Sequence, residues 1–189
     1  SDRDYTSFRI PKKSGGFRDI TAPQGKLKSL QRAITELLSY CYLPDLCFKG
    51  FGPGESVVTN AGMHIDRRYI LNIDIKDFFP SITYRMVKDS LVGEGVCDSV
   101  ARKISRICTW TVQKDDDLPE YVLPQGSPTS PVLSNIGCGK MDRRLSGLAA
   151  RFGLTYSRYA DDITFSSNHS VYSKDSEFWQ ELSRIINGS

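Results

Sequence analysis

The chain has 189 residues, of which 39% are hydrophobic and 25% charged, with a formal net charge of +3. That length can bury a core in one domain or two fused subdomains, and no window approaches the run of about 20 apolar residues that a membrane span needs. Nothing resembles a signal peptide, and a charge this small does not by itself announce a nucleic-acid partner. The basic residues gather at Lys12, Lys13 and Arg18, at Lys26 and Lys28, at Arg67 and Arg68, at Arg102, Lys103 and Arg106, and at Lys140, Arg143 and Arg144. Each cluster could meet phosphates or simply face water. The five cysteines, Cys41, Cys47, Cys97, Cys108 and Cys138, are odd in number and lack paired spacing. This points to reduced thiols in a cytoplasmic protein and away from zinc.

In chain order, Phe8 to Pro23 predicts two strands joined by a glycine turn at Ser14-Gly15-Gly16. From Leu27 the spacing of Leu30, Ile34, Leu37, Leu38 and Cys41 predicts an amphipathic helix with those residues in the core, ending before Pro44. Gly50 to Gly54 reads as a turn-rich loop, and Glu55 to Ile65 as a helix with Val57, Ala61 and Ile65 on one side. Tyr69 to Ile75 is β-rich, with Ile73 and Ile75 on one face and Asp74 on the other. Ser81 or Thr83 is placed to cap a helix reaching about Val92.

A further helix from Asp98 to Trp110 should turn Val100, Ile104, Ile107 and Cys108 inward, and Asp115 to Asp117 should be an exposed turn. A long helix then carries Val132, Leu133, Ile136, Met141, Leu145 and Leu148 and stops at Gly153. Cys108 and Cys138 should pack as small core residues. Leu154 to Ser167 reads as two strands with a tight turn at Ala160 to Asp162, and the tail as a helix through Phe178, Trp179, Leu182 and Ile185.

Tyr159-Ala160-Asp161-Asp162 sets two adjacent carboxylates at the turn of an otherwise apolar hairpin. Like charges so close raise each other's pKa, whereas a divalent cation reverses the sign of that interaction. Asp74 is a third carboxylate, in a strand whose other face is apolar. If the strands are neighbours, the three acids offer hard oxygen ligands suited to Mg²⁺.

Tyr159-Ala160-Asp161-Asp162 resembles the active-site hairpin of reverse transcriptases, and two other blocks match that family in order. Asn72-Ile73-Asp74-Ile75-Lys76-Asp77-Phe78-Phe79-Pro80-Ser81-Ile82 resembles the strand that supplies the first metal ligand. Leu123-Pro124-Gln125-Gly126-Ser127-Pro128-Thr129-Ser130-Pro131, followed by Leu133-Ser134-Asn135, resembles the loop and helix start beneath the incoming nucleotide and template base, with Ser127 where the family often has Ala, a small change that should be tolerated. Ile10-Pro11-Lys12-Lys13-Ser14-Gly15-Gly16-Phe17-Arg18 resembles the fingertip that grips the triphosphate, with Lys13 leaving the lysine assignment open by one residue.

The resemblance implies catalytic Asp74, Asp161 and Asp162. These residues, with the Ile75 carbonyl, would hold two Mg²⁺ ions, for which Mn²⁺ could substitute. It implies dNTP binding by Lys12, Arg18, Asp77, Phe78, Phe79, Gln125 and Gly126, with Phe79 as the aromatic gate that excludes a 2′-OH. Tyr159 and Ala160 would meet primer and template. Asn60-Ala61-Gly62-Met63-His64 resembles retron reverse transcriptases in particular. These copy a structured noncoding RNA into branched RNA–DNA and are linked to anti-phage defence. His64 is given no chemical role.

The implied fold is α+β: fingers and a palm whose antiparallel sheet is backed by helices in a ferredoxin-like layout. The expected division is fingers over 1–69, palm over 70–92, fingers or connection over 93–127 and palm over 128–189. Nothing after Ser167 resembles the family's thumb, so little polymerisation is expected of this segment alone. The implied partners are RNA template and primer, an RNA–DNA duplex and dNTPs, with no membrane and an effector protein left open. Three alternatives stand beside this reading: a group II intron or diversity-generating reverse transcriptase, a noncatalytic RNA-binding scaffold, and another palm-type two-metal enzyme such as a nucleotide cyclase or terminal transferase.

Overall fold

A computed structural model of the chain describes residues 4–12, 15–42, 47–51, 54–113, 118–173 and 175–188. Lys13 and Ser14 of the fingertip, Pro44 after the first helix and the turn at Asp115 to Asp117 lie outside the described residues. The elements run β1 (Tyr5–Pro11), β2 (Phe17–Pro23), α1 (Gly25–Cys41), α2 (Val57–Gly62), β3 (Tyr69–Asp74), α3 (Phe78–Ser81), α4 (Tyr84–Gly93) and α5 (Asp98–Cys108). They continue with β4 (Trp110–Val112), β5 (Glu120–Val122), α6 (Ser130–Arg151), β6 (Thr155–Tyr159), β7 (Asp162–Ser167) and α7 (Glu177–Asn187). The fold is α+β with antiparallel sheets, as the resemblance implied, and no helix among the described residues is long and apolar enough to cross a membrane.

The chain divides into two compact units, one of residues 1–43 and 77–137 and one of 44–76 and 138–189. These boundaries cut the chain elsewhere than the fingers and palm division, which rests on resemblance.

In the first unit, β1 and β2 pair from Tyr5↔Pro23 to Pro11↔Phe17 around Gly15 and Gly16, both at positive φ, and β4 pairs with β5. The core expected of α1 is corrected. Leu30 and Leu37 are 46% and 58% exposed and Cys41 is exposed, whereas Gln31 and Leu38 are buried. The reason is polar: Gln31 Nε2 donates to Tyr5 Oη and to the Ile107 carbonyl, and Gln31 Oε1 accepts from Ser127 Oγ at 2.6 Å. Those bonds set Gln31 inward beside Leu38 and leave Leu30 and Leu37 in solvent. Thr83 caps α4 as its position suggested, with Oγ1 accepting from Met86 N. In α5, Ile104 and Cys108 are buried but Val100 is exposed, and Trp110 leaves the helix to begin β4. The short β4–β5 pair is absent from the sequence reading because three residues per strand carry no periodicity.

The second unit is built on an antiparallel sheet in the order β3-β7-β6. Its apolar face places Phe165 against Tyr156 and, edge-on, against Phe178 of α7, with Phe152 and Tyr172 also around Phe178. Helix α6, which enters this unit after residue 137, buries Cys138, Met141, Leu145 and Leu148. Helix α2 is six residues long and Val57, Val58 and Ile65 are exposed, so the longer amphipathic helix expected there is corrected. Gly62 ends it early, glycine being a poor helix former, and polar bonds hold it: Ser56 and Thr59 form a capping box.

Candidate active site

The three acids belong to the second unit. Antiparallel pairing of β3 with β7 sets Asp74 opposite Asp162, and Ile75 N donates to the Asp161 carbonyl at 3.0 Å. That bond makes the preceding pair a non-hydrogen-bonded one, for which Cα atoms stand about 4.5 Å apart with side chains on one face. Tyr159 is paired with Asp162 in turn, so Asp74, Asp162 and Tyr159 form one row across the sheet. Asn72, Thr164 and Ser157 form the row behind it. Alternation in Asp162-Ile163-Thr164-Phe165-Ser166 thus separates a polar face carrying the acids from an apolar face.

The two-residue loop between β6 and β7 holds Ala160 at φ 56°, the left-handed region that primed hairpin turns require at their first position. It places Asp161 beside Asp162. The Asp162 carboxyl is pushed above its ordinary range, first by loss of solvent and then by the negative charges of Asp161 and Asp74, although the residue as a whole remains open to water. The charges of Asp161 and Asp74 thus bear on Asp162, and a divalent cation relieves that repulsion. Among the described residues no three His, Cys, Asp or Glu side chains form a ready-made metal cage. Mg²⁺ is typically held by one or two carboxylates, with substrate phosphates and water completing its octahedron. The donor set of hard oxygens fits such an ion.

The other candidates lie in the first unit. Lys12 and Arg18 sit at the exposed end of β1–β2, where Lys12 exchanges backbone bonds with Gly15 and Gly16. Asp77, at φ 49°, precedes α3, in which Phe78 is buried with its ring 5.3 Å from that of half-buried Phe79. The Gln125 carbonyl accepts from Thr21 N at 2.7 Å, which ties the loop to β2. Gly126 has φ 123°, and a Cβ there would come within 2.6 Å of the Ile20 methyl. Glycine is required by both conformation and space. The Ser127 hydroxyl is buried and bonds Gln31 and Thr129.

Several contributors escaped the sequence reading. His64, only a fingerprint there, is a buried clamp: Nδ1 lies 2.6 Å from Ser166 Oγ and Nε2 2.7 Å from Ser157 Oγ, which also donates to Asn60 Oδ1. The Asn-Ala-x-x-His pattern thereby fastens α2 onto the acid-bearing face. Gly50 abuts the turn so closely that a Cβ would be 2.8 Å from Ala160 N. Arg158 and Asp142 form a buried ion pair behind the hairpin. Strand parity was the available signal for Arg158, since Tyr156 and Arg158 share the apolar face.

The family model for reverse transcriptase (RNA-dependent DNA polymerase) matches residues 10–187. The Retron Mx65 reverse transcriptase of Myxococcus xanthus is 41% identical over 175 residues, covering 88% of this chain and 41% of that protein. The Retron Mx162 reverse transcriptase of the same organism is 40% identical over 171 residues, covering 86% of this chain and 35% of that protein. The chain thus spans less than half the length of either relative. A solved telomerase from Candida albicans, in complex with a fragment of telomeric RNA, superposes with TM-score 0.60 at 12% identity, over 97% of this chain and 40% of that one. At that identity the likeness speaks for the fold. The chain belongs to the reverse transcriptase (RNA-dependent DNA polymerase) family, on its retron-type branch.

Proposed function

We propose that this chain is the fingers and palm of an RNA-directed DNA polymerase that extends a primer on an RNA template. The observation that carries the reading is the cross-strand pairing of Asp74 with Asp162, next to Asp161 in the turn. These carboxylates, assisted by the Ile75 carbonyl, are the proposed ligands of two Mg²⁺ ions, with Mn²⁺ as a substitute. The chemistry supplied by such a pair of ions is activation of a primer hydroxyl and neutralisation of charge on the departing pyrophosphate.

The remaining residues bind and orient. Lys12 and Arg18 are proposed to grip the triphosphate, and the guanidinium and ammonium charges favour the negative charge that develops there. Gln125 offers a side-chain amide and Gly126 lets its backbone approach closely, as the missing Cβ allows. Asp77 and Phe78 support the nucleotide, and the ring of Phe79 excludes a ribose 2′-OH. Tyr159 and Ala160 are proposed to meet primer and template.

The retron likeness extends the proposal to a structured noncoding RNA copied into branched RNA–DNA, in the cytoplasm and in anti-phage defence.

The test is Mg²⁺-dependent incorporation of dTTP on poly-A primed with oligo-dT, by the protein that carries this chain. Extension that is lost in Asp161→Asn supports the reading. Equal incorporation without template supports a terminal transferase, and RNA binding without extension supports a scaffold. Exchange of the cognate RNA for that of an intron separates the retron branch from its neighbours.

A further inference from the structure

Behind the acid-bearing turn lies a charge cluster to which the proposed chemistry assigns nothing. Arg158 is fully buried, and its side chain points to the apolar face of β6. Its Nε donates to Asp142 Oδ1 at 2.8 Å and its Nη2 to Asp142 Oδ2 at 2.7 Å, a bidentate fork. Tyr156 Oη donates to the same Oδ1 at 2.6 Å, and the Phe48 ring lies 4.7 Å from the guanidinium carbon. Nη1 remains, and it donates to the Ala160 carbonyl at 2.9 Å.

A buried ion pair is a weak source of stability, because desolvation offsets most of the attraction and well-packed apolar residues often serve as well. Apolar residues could not donate to the Ala160 carbonyl. That carbonyl belongs to a residue in the left-handed region, between the strand and the two acids, so its direction fixes the peptide plane leading into Asp161. On the amide side of the same residue, the Gly50 backbone passes so close that a Cβ there would lie 2.8 Å from Ala160 N. The turn is therefore held at the Ala160 carbonyl, and Asp142 carries that hold to α6.

We infer that Arg158 is a positioning residue for the metal-holding turn: locked by Asp142 and Tyr156, it holds the Ala160 carbonyl and so sets how Asp161 and Asp162 present their carboxylates. The inference rests on the proposed reading of those acids as metal ligands. Lysine cannot replace arginine here, since an ammonium lacks the planar fork that engages Asp142 and Ala160 together. Loss of a group that orients a ligand typically weakens metal affinity about 10–100-fold.

The experiment titrates the chain with Mn²⁺ alone, followed by electron paramagnetic resonance of the free ion. Thermal melting is recorded in parallel. Four proteins are compared: the parent, Asp161→Asn, Arg158→Lys, and a triple variant with Arg158→Met, Asp142→Leu and Tyr156→Phe. The triple variant removes the whole network, so no buried charge is left unpaired. Binding by the parent, lost in Asp161→Asn and weakened about 10–100-fold in folded Arg158→Lys and the triple variant, is the expected result. Parent-like affinity in either folded variant overturns the positioning role while the metal site stands. Failure of both variants to fold overturns it in favour of a purely structural role. Equal binding by the parent and Asp161→Asn removes the metal reading, and the inference with it.

Discussion

Hairpin β1–β2 carries Lys12 and Arg18 at its end and leaves most of its strand residues exposed, whereas β6–β7 carries Asp161 and Asp162 and buries most of its strand residues. Each has an Arg–Asp pair. Arg9 and Asp19 meet across β1–β2 with side chains 71% and 77% exposed, while Arg158 and Asp142 meet with 0% and 4% exposed. A two-stranded ribbon in water is only marginally stable, so the fingertip depends on the base of β2, where Thr21 bonds the Gln125 carbonyl and Pro23 is buried. The acid-bearing hairpin is instead packed along most of its length, with β7 paired on both sides. Under the proposed function, the cations that would close on a mobile triphosphate can sit on an adaptable support, whereas carboxylates that would share ions at about 2.0–2.1 Å per bond need a rigid one.

The comparison breaks most visibly at the two arginines. Arg158→Ala leaves Asp142 buried without its partner and should cost about 3–5 kcal/mol. Arg9→Ala removes an exposed pair and should cost about 0–1 kcal/mol. Urea unfolding of the two variants gives both values, and similar losses would erase the distinction. Next in size is activity: Asp161→Asn should lower primer extension on the order of 10²–10³-fold, with a smaller loss for Lys12→Ala, expressed mainly in KM for the nucleotide.

A smaller effect separates two hydroxyls of the first unit. Ser127→Ala strands the buried Gln31 Oε1 and should cost about 1–3 kcal/mol, whereas Ser7→Ala, at an exposed contact with Thr21, should be nearly silent in the same melts. The smallest effect is a pH slope. His64 is held below its ordinary 6.5, first by burial and then by the charge of Arg67, so the neutral ring is the form the fold prefers. Its contribution is complete above 6.5 and declines as pH falls through that value towards the lowered one. Melting temperatures taken between about pH 5 and 7.5 should show this decline in the parent and lack it in His64→Asn.

Much of this was legible in the chain. The parity of Asp74 and the carboxylates at the Asp161–Asp162 turn were visible, with their convergence conditional on the strands being neighbours, as β3 and β7 are, and Gly126 was marked by the family resemblance. Long elements with repeating apolar positions, such as α6, stood out because periodicity accumulates with length. What escaped depends on polar partners distant in sequence. In α1, Gln31 faces inward to meet Tyr5, Ile107 and Ser127, and no apolar pattern registers an amide turned inward. Asp142, in a helix, and Arg158, in a β-strand, were not singled out, because only tertiary structure joins them. His64 was visible as a motif, but the serines it clamps lie 93 and 102 residues away.

Ala160 sits where an L-residue incurs a steric penalty of roughly 1–2 kcal/mol. Local chain preference therefore opposes the bend that brings the two aspartates to the sheet edge, and only surrounding protein overrules it. A synthetic peptide spanning 155–167 should relax away from that bend and bind divalent ions no better than any two free carboxylates. The cation affinity proposed for this spot is thus expected to be an attribute of the folded body, switched off by local melting and restored on refolding.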